Sequence, residues 1–282
     1  MALKDILVHL DTTPRSALRL AVAAGLAARH GAHLTGVHVI DIPSANYFYG
    51  AAMPFVPANP EEIVGRIRAE ATQAAAPVEQ AFRDCLSRAG IEGEWRLVEG
   101  NPPSTVALHA RYADLIVVGQ PNQDAPQDSD AVTVTTVMTS GRPVLAIPFA
   151  GEYPVIGEHV LIAWNASREA ARAVNDALPL IVGAKKVTIL AINPQRGLGG
   201  HGDVPAADIS LHLARHGVKA EAVHTVARDI SDGEALLSYA ADIGADLLVA
   251  GAYGHSRARE MVFGGVTRTL IAEMTVPVLL SH

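Results

Sequence analysis

The stretch Ala113-Asp-Leu-Ile-Val-Val-Gly119 returns in the second half of the chain as Ala245-Asp-Leu-Leu-Val-Ala-Gly251. Each copy is a short apolar run that begins with Ala-Asp and ends at a glycine. Continuous runs of this kind, alternating with helical patterns, are typical of a parallel sheet that is covered on both faces. The repeat therefore predicts two copies of one α/β domain.

Two further blocks repeat in the same order. The run Asp5–Asp11 is matched by His159–Asn165, and Arg142–Pro148 is matched by Val276–His282. Asp11 therefore corresponds to Asn165. A chain of 282 residues has room for two domains of ~140 residues. We place them at residues 1–150 and 155–282, joined by a glycine and proline turn.

Each copy reads as a β-α-β unit followed by helix, strand, helix and strand. The fold class that this order predicts is α/β, with two tandem, doubly wound, five-stranded parallel sheets. Thr13 and Pro14 predict the start of the first helix, as N-cap and N1 residues, and Gly31 predicts its end. The segment at 43–60, rich in aromatic residues and proline, is either a packed flap or a lid over a ligand.

Composition excludes several classes of protein. The opening Met1–Ile6 has no basic leader, and no apolar run approaches the ~18 residues of a membrane span. We therefore expect a soluble, cytoplasmic chain without a membrane partner. The single cysteine, Cys85, has no partner for a disulfide, a redox pair or a cysteine zinc site.

Charge argues against nucleic acid as a partner, because the chain carries a net charge of −7 with a pI near 5.9 and has no basic cluster. The twelve histidines lack the spacing of metal ligands. We therefore expect no protein-held metal site.

The stretch from Ala250 to Thr267 carries the clearest functional signal. Glycines at 251, 254, 264 and 265 follow an apolar strand and precede an amphipathic helix. At the carboxyl end of a parallel strand, such a turn lets backbone N–H groups and a helix N-terminus approach an anion. Thr267 adds a hydroxyl, and His255, Arg257 and Arg259 add positive charge. The stretch predicts a site for a phosphate-bearing ligand.

This spacing, Gly251-x₂-Gly254-x₉-Gly264-Gly265, resembles the nucleotide loop of universal stress proteins, and the resemblance extends over both halves. It implies a Rossmann-like, adenine nucleotide alpha hydrolase-like fold with strand order 3-2-1-4-5. It also implies an adenine nucleotide as ligand, ATP or a relative, with or without Mg²⁺. The residues expected at the site, from the loop and from the resemblance, are Ala163, Trp164, Asn165, Ile192, Ala250, Gly251, Gly254, His255, Arg257, Gly264, Gly265, Val266 and Thr267.

Two of these positions depart from the family pattern. Gly265 stands where family members have serine or threonine, so backbone replaces a phosphate-binding hydroxyl. Asn165 replaces the usual aspartate beside the ribose, and an amide forms weaker hydrogen bonds than a carboxylate does.

The first half has lost most of the loop. Asp130 and Ala131 stand at the positions of Gly264 and Gly265, and Asn122 stands at that of Gly254. The shorter loop also contains Asp124 and Asp128, which repel phosphate. We therefore expect one nucleotide per chain, bound in the second half.

The sequence contains no catalytic signature: we find no nucleophile elbow, no Walker lysine and no kinase motif. Three interpretations remain, namely an ATP-binding stress or signalling protein, a weak ATPase, and a ligand-free dimerising scaffold. In each of them we expect the last strands of the two halves to pair about a pseudo-twofold axis, because their edges would otherwise be exposed. A homodimer of chains is compatible with all three.

Overall fold

The computed structural model describes residues 2–43, 59–121, 129–194, 205–253 and 265–282. Most of the aromatic segment at 43–60 lies outside these residues. The described strands are β1 Asp5–His9, β2 His33–Ile40, β3 Gly93–Glu99, β4 Leu115–Gly119, β5 Val144–Ile147, β6 His159–Ala163, β7 Lys186–Ile192, β8 Ala220–Thr225, β9 Leu247–Gly251 and β10 Val278–Ser281. The described helices are α1 Ser16–His30, α2 Pro60–Ala89, α3 Pro102–Ala110, α4 Ser129–Thr139, α5 Arg168–Ile181, α6 Ala207–Arg215, α7 Asp232–Asp242 and α8 Gly265–Glu273.

The strands form one ten-stranded sheet in the order β3-β2-β1-β4-β5-β10-β9-β6-β7-β8. Each half therefore has the expected order 3-2-1-4-5, and its five strands run parallel. Parallel neighbours need crossover connections, which the helices supply. The prediction of two tandem, doubly wound α/β domains is confirmed.

The two halves meet where β5 and β10 pair in antiparallel fashion. Leu145 lies opposite Leu279, and these two residues are equivalent in the repeat. A pseudo-twofold axis consequently passes between them. The prediction that the last strands pair is confirmed, and the pairing covers two edges that would otherwise be open.

Apolar layers lie on both faces of the sheet. On one face, buried side chains of α1 and α5, such as Leu26 and Ile181, pack against alternate strand residues. On the other face, Val106 of α3, Leu236 of α7 and Leu270 of α8 do the same. Since residues of a strand alternate between faces, the continuous apolar runs of the sequence serve both layers.

The start of α1 differs from the prediction. The helix begins at Ser16, after a turn in which Ser16 N donates to Thr13 O at 3.1 Å. Asp11 accounts for the difference, because its carboxylate accepts hydrogen bonds from Thr13 N at 2.9 Å and Ser16 Oγ at 2.9 Å. The predicted end is confirmed, since Gly31 caps the helix in the left-handed conformation at φ 61°.

Side chains reinforce the contact between the halves. Gln120, after β4, donates from Nε2 to Ala272 O at 2.8 Å and accepts from Phe149 N at 2.7 Å. Arg29 donates to Ile156 O at 2.7 Å, in the segment that leads into the second half. The end of α8 is thereby tied to the first half of the chain.

No helix in the described ranges is long and apolar enough to cross a membrane.

Candidate functional site

A cavity of about 200 Å³ opens at the carboxyl ends of β6, β7 and β9. It lies on the face of the sheet that α7 and α8 cover. Nine residues expected at the site line it, namely Ala163, Trp164, Asn165, Ile192, Ala250, Gly251, Gly265, Val266 and Thr267. The other four, Gly254, His255, Arg257 and Gly264, lie outside the described residues.

The floor of the cavity is apolar. Leu190 of β7 and Ala250 of β9 are 1% and 2% exposed, and Leu236 of α7 is 4% exposed. Ala163, at the end of β6, is small enough to leave space above this floor. A flat apolar ring can be desolvated here, which is the usual arrangement in pockets for organic ligands.

Thr267 fastens the first turn of α8 to the segment that follows β9. Its Oγ1 accepts a hydrogen bond from Tyr253 N at 3.2 Å, and the residue is only 3% exposed. The first half has a similar fastening, in which Thr133 Oγ1 donates to Gly119 O at 2.7 Å. The hydroxyl that the sequence offers to a phosphate thus also positions the helix, as an acceptor, which leaves its O–H to donate.

Gly251 is required by packing inside the protein. A Cβ at this residue would lie 2.5 Å from both Ala170 N and the carbonyl carbon of Glu169. Helix α5 therefore approaches β9 more closely than any side chain permits. This explanation differs from the predicted one, which assigned the glycine to the approach of an anion.

Gly265 has the opposite surroundings. It is the exposed first residue of α8, and no atom of the described residues lies within 4 Å of the place where its Cβ would stand. The first N–H groups of a helix have no partner inside the helix, and the positive end of the helix dipole lies there. This corner of the cavity can therefore accept an anion.

Asn165 lies at the rim, after β6, and shapes the start of α5. Its Oδ1 accepts from Ser167 N at 3.1 Å, and Ser167 Oγ in turn accepts from Ala170 N at 3.1 Å. With the oxygen engaged, the amide Nδ2 is the group that Asn165 can offer to a ligand, as a hydrogen-bond donor.

Five lining residues were not expected from the sequence, namely Ser167, Leu190, Asp232, Leu236 and Tyr253. Tyr253 has a positive φ of 61° and packs edge-on against His282, with ring centroids 6.2 Å apart. Burial raises the pKa of its phenol to about 12, so Tyr253 stays neutral in the physiological range. The first residue of α7, Asp232, is the only charged side chain among the described lining residues.

A family model for universal stress proteins matches residues 2–148 and 158–282. The chain belongs to the universal stress protein family. Its two matched segments make it a tandem-type member, as the repeat predicted. No curated protein matches this universal stress protein.

Solved structures share the fold over nearly the whole chain. A universal stress protein from Archaeoglobus fulgidus has a TM-score of 0.70 at 16% identity, and the match covers 98% of this chain and 97% of that one. A functionally unknown protein from Pseudomonas aeruginosa has a TM-score of 0.59 at 13% identity, and the match covers 99% and 92% of the two chains.

The first half of this universal stress protein has a histidine where the cavity lies in the second half. His9 pairs with Val37 as Ala163 pairs with Leu190, so His9 and Ala163 are equivalent in register. Burial, and then the charge of Arg19, lower the pKa of His9 to about 3. A neutral imidazole therefore lies at the position that Ala163 leaves open.

Arg19 further distinguishes the two halves. It is 6% exposed, forms an ion pair with Asp11 at 2.6 Å, and donates to His9 O at 3.1 Å. Although burial alone would raise the pKa of Asp11, Arg19 and hydrogen bonds from Thr13 and Ser16 lower it to about 2. Asp11, the family's usual aspartate, is therefore bound to side chains of the protein itself. The equivalent Asn165 has no cationic partner among the described residues.

The loop acids of the first half, Asp124, Asp128 and Asp130, lie outside the described side chains, as does Asn122. Within the described residues, no group of three or more histidine, cysteine, aspartate or glutamate side chains is placed to hold a metal ion.

Proposed function

We propose that this universal stress protein binds an adenine nucleotide, ATP or a relative, in its C-terminal half and acts in a stress response or in signalling. The main support is the convergence of nine expected residues on one cavity at the carboxyl edge of the sheet. In doubly wound sheets, this edge is where ligands bind.

The described side chains fit the parts of such a ligand. The apolar floor at Leu190 and Leu236 suits a purine ring, and the start of α8 at Gly265 suits a phosphate. Asn165 Nδ2 suits a ribose hydroxyl as a donor. Positive charge for further phosphates would come from His255 and Arg257, with Mg²⁺ as an optional counter-ion.

A stoichiometry of one nucleotide per chain follows from the difference between the halves. His9 takes the place of Ala163, and Asp130 takes that of Gly264. The first half therefore has a neutral imidazole at the position of Ala163, where the apolar part of the cavity would be. It has a carboxylate at the sequence position of Gly264, where the phosphate would bind.

Calorimetry with ATP tests the proposal on the full chain. We expect one site per chain, and about a hundredfold or greater loss of affinity in a Gly264→Asp variant, because a carboxylate beside the phosphate removes two charge-assisted hydrogen bonds worth ~1.5–3 kcal/mol each. Gly65→Asp is the matched control, since Gly65 is an exposed residue of α2 and no described atom lies within 4 Å of where its Cβ would stand.

Fluorescence provides a second measurement. The chain has two tryptophans, and only Trp164 lines the cavity. In a Trp95→Phe variant, added ATP should change the remaining emission. A stoichiometry near two, unchanged affinity in Gly264→Asp, or no binding at all would contradict the proposal. The last result would leave the scaffold interpretation.

A further inference from the structure

Asp232 places a fixed carboxylate at the cavity. Its Oδ1 accepts a hydrogen bond from Asn193 Nδ2 at 2.8 Å. Asn193 is itself held by Ala227, from which it accepts at 3.1 Å and to which it donates at 3.2 Å. Oδ2 of Asp232 has no hydrogen-bond partner among the described residues. One carboxylate oxygen is thus anchored, and the other remains to accept from a ligand.

The hydrogen bond to Asn193 ties the carboxylate to the β7 side of the cavity. Asn193 directly follows β7, whereas Gly265 opens the helix that comes after β9. Strand β6 lies between β7 and β9, so these two ends are about two strand spacings apart, or ~10 Å. If the phosphates bind at Gly265, the base lies at the end formed by Ile192 and Asp232.

We propose that Asp232 selects the base of the nucleotide, by accepting a hydrogen bond from an exocyclic amino group. This inference rests on the proposed nucleotide site. A carboxylate only accepts hydrogen bonds. It therefore favours a ring edge that carries an amino group and repels one that carries a carbonyl oxygen at the same place. Adenine carries such a group at its 6-position.

The comparison between the halves supports a ligand role for this side chain. The matching helix of the first half, α3, begins with Pro102, which has no side-chain acceptor. The N-cap of α7 is Ser231, which forms a capping box with Glu234. Asp232 is therefore not part of the cap, and the equivalent helix of the first half forms without an acid at this position.

The test compares ATP with purine riboside triphosphate, which is ATP without its 6-amino group, by calorimetry on the full chain. We expect the wild-type protein to bind ATP roughly tenfold or more tightly, as the loss of one charge-assisted hydrogen bond predicts. In Asp232→Asn, the amide oxygen that accepts from Asn193 directs an NH₂ group to the ligand, and this group cannot accept. We expect the ratio of the two affinities to fall close to one.

Asp229→Asn is the matched control, because Asp229 is an exposed carboxylate ahead of the same helix and does not line the cavity. It should keep the wild-type ratio. Equal affinities in the wild-type protein, or an unchanged ratio in Asp232→Asn, would overturn the base-selecting role while leaving the nucleotide site intact. Failure of both nucleotides to bind would overturn the nucleotide site and this inference together.

Discussion

Substituting alanine at the two equivalent glycines should have unequal effects on stability. In Gly251→Ala, the new methyl group would lie 2.5 Å from backbone atoms of Glu169 and Ala170, about 1 Å closer than ordinary van der Waals contact. Backbone cannot rotate away, so α5 must move as a unit. Overpacking of this kind costs ~1–3 kcal/mol, and we expect the upper end, about 3 kcal/mol.

Gly119→Ala should be tolerated better. Here the new methyl group would lie 2.4 Å from Nη1 of Arg19, which is the far end of a flexible side chain. A small shift of the guanidinium relieves the contact and stretches the ion pair with Asp11. We expect a loss of about 1 kcal/mol, at the lower end of the overpacking range.

Urea unfolding of the two variants, followed by circular dichroism and by tryptophan fluorescence, measures both losses. Coincident transitions by the two probes would establish two-state behaviour, which the comparison requires. If the free energy of unfolding fell by less than about 1 kcal/mol in Gly251→Ala, or by no more than in Gly119→Ala, the packing explanation for Gly251 would be wrong.

Two other predictions concern stability. His9 has a folded pKa of about 3, below the unfolded value of ~6.5, so the stability it contributes is complete above pH ~6.5 and is lost as the pH falls towards 3. When the pH is lowered from 7 to 5, the free energy of unfolding, measured by urea titration, should therefore fall by ~1–2 kcal/mol less in His9→Gln than in the wild-type protein. An equal fall in the two proteins would contradict this role of His9. Gln120→Ala removes one hydrogen bond between the halves, to Ala272, and one within the first half, from Phe149. It should cost ~1–2 kcal/mol of stability, measured against the exposed control Gln80→Ala, and equal midpoints for these two variants would refute the contribution.

The fold was predictable because each repeat block is a local pattern. Apolar runs such as Leu247–Gly251 identify strands without tertiary information, and three blocks in one order require two similar domains. The strand order came from the family resemblance instead, since the crossovers leave several orders possible. The start of α1 was misplaced, because Asp11 competes for Thr13 and Ser16 through side-chain hydrogen bonds that propensity does not include.

The cavity was predictable only in part. Ala163, Ile192 and Gly251 end parallel strands, and such ends converge at one edge of a sheet. Asp232 and Leu236 were missed because α7 reaches the cavity by packing over the sheet, and no local motif in the sequence reports that position. The difference at His9 could have been predicted from the sequence, because the alignment of the repeats places His9 at the position of Ala163.

The antiparallel pairing of β5 with β10 has a consequence for how the protein can evolve. In a dimer of identical subunits, every substitution appears on both sides of the interface. Here the two sides are encoded separately and joined covalently, so one can change while the other is retained. His9 and Ala163 have diverged in this way, although Leu145 and Leu279 still face each other across the axis. Two similar halves in one chain can therefore specialise, which the halves of a symmetric dimer cannot do.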